Sequence, residues 1–249
     1  MRPAPPAVFD ARFAGDQIDT TVWRIVRRAG NNQGTPDAEL QFYAPDGVTV
    51  RDGAVHLTAT ASRAGDTLPF TSGRIETRRA WLYGHVAIRA RLPRGRGLWP
   101  ALWLRTPPGP PLNGEIDIVE SYGSAPNLIE STLHDWHDGQ DTHHDCAWLV
   151  VQPVPDSPRF HTGYCTRVEG LVTLPRDLAD AFHTYAIDWS SERIVWSFDG
   201  TPYFEVRERV PHVPMMIVLN LAVGGGWDGV PDPAILPRSL DVASVTVTP

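Results

Sequence analysis

The sequence lacks several features that would take it out of the class of ordinary globular proteins. It contains no lysine and only two cysteines in 249 residues. No apolar run approaches the roughly 18 residues of a membrane-spanning helix, so we expect no membrane partner. The net charge of −7 disfavours a nucleic acid or an anionic membrane surface. All 22 basic residues are therefore arginines, a bias from which no mechanism follows.

The N-terminus lacks the apolar segment of a signal peptide. Residues 1–7 are rich in proline and are expected to be disordered, while residues 8–249 show no low-complexity break and are expected to form a single domain. Either a leader has been removed or the protein is not exported by that route. We expect a secreted or cell-envelope location.

The two cysteines, Cys146 and Cys165, could close one disulfide around a loop. A disulfide would indicate an oxidising compartment, whereas two free thiols would suit a cytosolic protein. Both alternatives remain open from the sequence.

Short runs of alternating apolar residues, separated by glycine, proline, aspartate and asparagine, cover most of the chain. Clear examples are residues 54–60, 85–90, 184–189 and 194–198. Alternation with period two is typical of strands that have one buried face, and many short strands at regular spacing favour a β-sandwich. The sequence therefore predicts an all-β fold.

The stretch G-E-I-D-I-V-E-S places three carboxylates within six residues, at Glu115, Asp117 and Glu120. In a regular strand, Glu115 and Asp117 share one face and Glu120 points to the other. A β-bulge adds one residue and reverses the facing of every later residue in the strand. A bulge near Ile118 and Val119 would therefore bring all three acids to one face.

Three adjacent carboxylates repel one another, and burying them is costly. Glycoside hydrolysis needs two, one ionised and one protonated, and a third between them can hold their pKa values apart. Side chains that lean inward could bring the outer two carboxyls to about 5–5.5 Å, the separation of retaining enzymes. The alternative is a solvated edge strand that happens to be acidic.

Five further blocks of sequence surround the acidic stretch in a recognisable order. They are G-L-W-P-A-L-W-L at 97–104, S-G-R-I at 72–75, Y-G-H-V-A-I-R-A-R-L-P at 83–93, T-L-H at 132–134 and L-N-L-A-V-G-G-G-W at 219–227. Together with the acidic stretch they resemble glycoside hydrolase family 16. The spacing E-x-D-x-x-E is similar to that of its bulged branch, which contains the laminarinase-like endo-β-1,3-glucanases.

The resemblance implies a β-jelly-roll sandwich of two antiparallel sheets with a concave substrate cleft. It also implies a retaining, endo-acting hydrolase of laminarin-type β-1,3-glucan that needs no cofactor and acts as a monomer on a polysaccharide. Glu115 would be the nucleophile, Glu120 the general acid and then base, and Asp117 would tune the pair. Other β-linked substrates, such as mixed-linkage glucan or galactan, remain open.

The resemblance also suggests which residues bind sugar. They are Asn32, Arg74, Trp99, Trp103, His134 and Trp227. All of these except His134 have a structural alternative. A tryptophan can belong to the core, the asparagine can form a turn, and the arginine can pair with an acid at the edge of the core.

Metal binding is not predicted, although two features raise the question. Residues 134–146 are rich in histidine and aspartate, but they contain no H-E-x-x-H or C-x-x-C spacing. Residues 135–168 are interpreted as an irregular loop over one wall of the cleft. The family often carries a structural calcium, for which Asp10 and Gly53 fit, but Ala243 stands where the last aspartate is expected and Asp241 is two residues away.

Three other functions fit parts of the pattern. A transglycosylase would use the same residues, with a sugar rather than water intercepting the intermediate. A catalytically silent carbohydrate-binding jelly roll would have no need of a charge triad. A metal hydrolase would use the tract at 134–146. The three acids argue against the silent binding protein, but they do not separate hydrolysis from transglycosylation.

Overall fold

The computed structural model describes residues 8–35, 38–108, 114–137, 140–151, 168–172, 178–226 and 228–249. Within 136–137, 140–143 and 168–172 only the strands are described. The predicted segment at 1–7 lies outside these ranges, as does Cys165. Cys146 itself is disulfide-bonded, which favours the bridged alternative over two free thiols.

Strands dominate the described part of the chain. In chain order they are β1 (Phe9–Arg12), β2 (Trp23–Ile25), β3 (Arg28–Ala29), β4 (Gln41–Tyr43), β5 (Val48–Arg51), β6 (Ala54–Ala61), β7 (Phe70–Ser72), β8 (Arg74–Trp81), β9 (Gly84–Arg91), β10 (Leu98–Arg105), β11 (Glu115–Glu120), β12 (Leu128–His137), β13 (Gln140–Val151), β14 (Val168–Val172), β15 (His183–Trp189), β16 (Ile194–Phe198), β17 (Thr201–Val206), β18 (Met215–Val223) and β19 (Arg238–Thr248). Helical structure in the described ranges is limited to the 3₁₀ turns Pro45–Gly47 and Pro233–Ile235. No described helix could cross a membrane.

The strands form two sheets that pack face to face. One has the order β17-β16-β15-β9-β19-β6-β7-β4-β3, with β1 paired to β19 and β5 to β6. The other has the order β14-β13-β12-β11-β10-β18-β8-β2. All pairings are antiparallel among the described strands except β4 with β7 and β13 with β14. The predicted all-β jelly-roll sandwich is confirmed.

The core lies between the sheets and is built by the alternation that the sequence shows. On β10, Leu98, Leu102 and Leu104 point into the core. Opposite them, Tyr185 and Ile187 of β15 point inward from the other sheet. These leucines, with Pro100 between the first two, occupy every second position and leave the intervening side chains of β10 on the outer face of its sheet.

One interpretation of the sequence is wrong. The irregular loop expected over residues 135–168 is, in its first half, a β-hairpin in which β12 pairs with β13 from Leu128 and Val150 out to His137 and Gln140. Threonine, tryptophan and valine on these strands suit a paired ladder, despite the charged residues near the hairpin end. Residues 152–167 lie outside the described ranges.

Candidate active site

A cleft of 640 Å³ lies on the outer face of the second sheet. Its floor consists of side chains from β10, β11 and β18, and β12 contributes one wall. The three predicted acids, Glu115, Asp117 and Glu120, all line it. The structure thus brings the three carboxylates to one face, as the sequence predicts.

A β-bulge in β11 is what places Glu120 on that face. Towards β10, Trp103 pairs with Asp117 while the preceding Leu102 pairs with Val119, so Ile118 is the extra residue. The pairing with β12 shifts at the same point. Ile118 and Val119 are consecutive, yet both belong to the core. The predicted bulge at Ile118 and Val119 is therefore confirmed.

The bulge leaves backbone carbonyls without ladder partners, and side chains satisfy them. Trp196 Nε1 donates to the Asp117 carbonyl at 2.8 Å, and Ser131 Oγ donates to the Ile118 carbonyl at 2.8 Å. Trp196 is completely buried on the opposite sheet. Because an unpaired buried carbonyl costs free energy, these two donors stabilise the irregular backbone that carries the catalytic acids.

Gly114 starts this strand from a conformation that other residues rarely adopt. Its φ of +85° lies in the left-handed region, and an added Cβ would lie 3.0 Å from Met215 Cε. Glycine alone enters that region without steric cost. The glycine in G-E-I-D therefore determines the direction from which Glu115 enters the cleft.

The middle acid, Asp117, is 2% exposed and has a basic neighbour. His134 Nε2 lies 3.1 Å from Asp117 Oδ2, which is close enough for an ion pair when the imidazole is protonated. That oxygen accepts no hydrogen bond of good geometry in the described part of the structure. The contact between the two side chains is therefore electrostatic.

The outer two acids have unequal electrostatic surroundings. Burial, followed by the charge of Asp117, raises the pKa of Glu115 to about 8, while His134 and Arg105 oppose that rise. Burial also raises the pKa of Glu120 well above its ordinary value, and further carboxylates add to the effect. Asp117 and His134 act on both acids, but Arg105 favours ionisation of Glu115 whereas Glu130 opposes ionisation of Glu120, so Glu115 is the one to ionise first.

Trp99 and Trp103 both line the cleft, but each also has a fixed polar partner. Trp99 Nε1 donates to Glu120 Oε1 at 2.9 Å, and its ring lies 5.9 Å from that of Tyr122. Trp103 Nε1 donates to Asn220 Oδ1 at 2.6 Å. These hydrogen bonds hold both indoles in orientation and leave part of each ring facing the cleft.

A buried hydrogen-bond network continues from Trp103 to the far end of the cleft. Asn220 Nδ2 donates to Tyr43 Oη at 3.2 Å, and Tyr43 Oη donates to Glu39 Oε2 at 3.1 Å. Glu39 also accepts from Asn31 Nδ2 at 2.8 Å. The sequence indicates none of these links, which depend on residues far apart in the chain.

Arg74 does not line the cleft. Its guanidinium is 1% exposed and donates from Nε and Nη2 to Glu76 Oε1 at 3.0 and 2.7 Å. It lies 5.0 Å from the ring of Trp103, as a cation over an aromatic face. The placement gives no support to direct sugar contact and matches the alternative of pairing with an acid. Arg74 would therefore influence a ligand only indirectly, by holding the ring of Trp103 in place.

The remaining predicted binding residues divide into two groups. Asn32 and His134 line the cleft as expected. Asn32 has a φ of +56°, so it also forms the turn that was its structural alternative. Trp227 lies outside the described residues.

Arg105, Asn220 and Tyr122 line the cleft but were missed from the sequence. Arg105 pairs with Glu115 across β10 and β11. Arg105 could have been identified from the sequence, because it follows Trp99, Ala101 and Trp103 at the same two-residue spacing and therefore lies on the same face of β10. No comparable signal points to Asn220, whose strand β18 is apolar on both faces.

Two possible cation sites can be assessed from their donors. Ligand atoms of Glu115, Asp117 and His134 all lie within 4.8 Å of one another, so this group has the composition of a metal site. Asp241, the aspartate nearest to the calcium position expected in the last strand, instead accepts from His56 Nδ1 at 2.6 Å and from Arg91 Nη2 at 2.6 Å. Those donors already occupy both of its oxygens.

A β-sandwich whose outer face carries an in-line set of three carboxylates beside tryptophans belongs to the class of enzymes that cleave glycosidic bonds. The model of the family "Glycosyl hydrolases family 16" matches residues 37–235. The chain belongs to this family. That membership brings no requirement for a cofactor.

Individual relatives agree with this assignment. A β-glucanase from Rhodothermus marinus is 32% identical over 238 residues, covering 86% of this chain and 75% of that protein. The solved laminarinase from Rhodothermus marinus superposes with a TM-score of 0.77 at 28% identity, covering 99% of this chain and 98% of the other. The endo-β-1,3-glucanase from Pyrococcus furiosus gives 0.76 at 28% identity, covering 97% and 93%.

Proposed function

We propose that the protein is an endo-acting hydrolase of laminarin-type β-1,3-glucan that retains the anomeric configuration. One observation carries the mechanism. The bulge at Ile118 places Glu120 beside Glu115 on a single strand, where Arg105 favours ionisation of Glu115 and Glu130 opposes ionisation of Glu120. The substrate follows from the named activities of the relatives with similar sequence and fold.

In the first step, an oxygen of ionised Glu115 attacks the anomeric carbon from the side opposite the leaving group. As the glycosidic carbon–oxygen bond breaks, protonated Glu120 gives its proton to the departing oxygen. The products are a covalent ester between the sugar and Glu115, a shortened glucan chain and an ionised Glu120.

In the second step, water replaces the departed chain. Glu120, now a carboxylate, takes a proton from the water as its oxygen attacks the anomeric carbon. The bond to Glu115 breaks and leaves that carboxylate ionised again. Two inversions give net retention, and both carboxylates return to their starting states.

Asp117 and the two tryptophans assist these steps. Asp117 lies between the outer acids and next to His134, so it can respond to changes in charge on Glu115. Trp99 and Trp103 both line the cleft, where Trp99 is half-buried and Trp103 is 9% exposed. Aromatic faces pack against the apolar face of a pyranose, and their fixed orientation reduces the entropy cost of binding.

The proposed activity is tested with laminarin, lichenan, galactan and agarose, followed by product sizing and early-time proton NMR. We expect short oligosaccharides from laminarin, with the β-anomer formed first and the α-anomer growing only by mutarotation. Preferential cleavage of galactan or agarose would overturn the substrate. An initial α-product would mean that water attacks directly, as in an inverting site.

We further propose that the protein acts as a monomer outside the cell. All of the described catalytic carboxylates come from one strand of one chain, so the site is complete without a second copy. A polymeric substrate is also too large to reach a site inside the cell. Light scattering of the purified protein should give a mass near 27.5 kDa. A stable dimer would contradict the first part of this proposal.

A further inference from the structure

A fourth carboxylate, Glu130, lies beside the three predicted acids. It is on β12, directly opposite Glu120 in the register of the β11–β12 pair. Opposed residues on neighbouring strands have Cβ atoms about 4.5–5.5 Å apart. Glu130 was not identified from the sequence, and the two-step mechanism makes no use of it.

Glu130 is buried without a compensating positive charge. It is 3% exposed, and its Oε2 accepts one hydrogen bond, from Tyr122 Oη at 3.1 Å. Its other oxygen, Oε1, has no hydrogen-bond partner among the described residues. A buried acid in this position costs free energy, which a purely structural role would avoid by using glutamine or an apolar residue.

The charged and titratable groups around Glu130 come from the strands on either side. From β11 it faces Glu120 and Asp117, and Tyr122 follows that strand. His134 lies on its own strand, and β13 places the uncharged Trp148 opposite it. Within the described ranges no arginine forms an ion pair with it. Glu120 is therefore the acid that would be most affected by ionisation of Glu130.

We propose that Glu130 is a positioning residue that keeps Glu120 in its acid form as the medium becomes more alkaline. The inference rests on the proposed function, because cleavage of the glycosidic bond needs Glu120 to be protonated at the start of each turnover. When Glu130 loses its proton, the new charge opposes ionisation of Glu120 across the strand pair.

The surroundings of Glu130 support that order of ionisation. Burial raises the pKa of Glu130 to about 7, with Asp117 adding to the rise and the Tyr122 hydrogen bond opposing it. The pKa of Glu120 is raised well above its ordinary value, and Glu130 is among the causes. Glu130 therefore ionises first and delays Glu120, which widens the active range on its alkaline side.

The direct test follows the Glu120 carboxyl carbon by NMR in protein labelled with ¹³C-glutamate, assigned by comparison with Glu120→Gln. In Glu130→Gln, which is isosteric and keeps an acceptor for Tyr122, we expect the Glu120 titration midpoint to fall by about one pH unit. An unchanged midpoint overturns the proposal. The measurement does not depend on turnover, so it decides the role of Glu130 even if no glucan is cleaved.

The pH profile of kcat/KM gives the functional readout. Glu130→Gln should move the alkaline limb of this profile to lower pH by about one unit. Above the limb, kcat/KM should fall about tenfold, whereas at about pH 5 it should change little. Glu130→Asp retains a carboxyl and should lie closer to wild type. Glu205→Gln changes an exposed carboxyl on β17 and is the matched control. A uniform loss at every pH would indicate a structural role and contradict the proposal.

Discussion

Replacement of Glu115 by glutamine should lower turnover of laminarin by on the order of 10⁴-fold or more, the range seen when a covalent nucleophile is removed. The amide has nearly the same shape, so packing against Arg105 and His134 is retained. It cannot attack the anomeric carbon or form the ester. Initial rates of reducing-end release measure the effect.

The matched control for this substitution is Asp117→Asn, made on the same strand. Asp117 forms no bond to the substrate, so we expect it to lower the rate less and to shift the limbs of the pH profile. Thermal unfolding of both variants should match wild type closely, which would separate lost chemistry from lost folding. Wild-type-like turnover in Glu115→Gln would remove Glu115 from the nucleophile position.

Replacement of Glu120 by alanine should produce the second-largest loss, about 10²–10⁴-fold on a polysaccharide, because proton transfer to the leaving oxygen is lost. A substrate with a good leaving group needs no such proton. We therefore expect an aryl β-glucoside oligomer to form the covalent ester at a rate much closer to wild type, with slow breakdown of that ester.

Azide gives this prediction its sharpest outcome. With the side chain removed, a small anion can enter the space that Glu120 occupies and attack the ester without a general base. The product should be a β-glycosyl azide, identifiable by mass and NMR. Trp99→Phe is a useful companion, since it removes the hydrogen bond to Glu120 Oε1 but leaves the acid in place. Failure of azide to react in Glu120→Ala would indicate that Glu120 is structural.

The fold was predictable because strand alternation is a local property of the sequence. Leu98, Leu102 and Leu104 indicate the buried face of β10 without any knowledge of its neighbours. The bulge was predictable for a related reason. In a regular strand Glu120 would face away from Glu115 and Asp117. The three acids can therefore share one face only if one residue is added between Asp117 and Glu120.

The features that could not be predicted depend on contacts between distant parts of the chain. Arg74 and Glu76 are two residues apart and share a face, but the pair is buried because the distant rings of Trp103 and Tyr43 lie over Arg74. Glu130 lies in a strand with an unremarkable sequence. Its relation to Glu120 comes from the register of two strands, which the local pattern does not specify.

The bulge at Ile118 also has a consequence for how this site can vary in length. In a strand without the extra residue, the three acids would have the shorter spacing E-x-D-x-E. They would still share one face, because every second side chain of a regular strand points the same way. Both spacings present an equivalent array to the cleft. If sequences with the longer and the shorter spacing were aligned residue by residue without a gap, Glu120 would be paired with a residue other than the last acid. Aligning the residues whose side chains face the cleft would instead pair each acid with its counterpart. Insertion or deletion of a single apolar residue at this point, together with a donor such as Ser131 for the freed carbonyl, would therefore convert one spacing into the other without moving the acids off the cleft face.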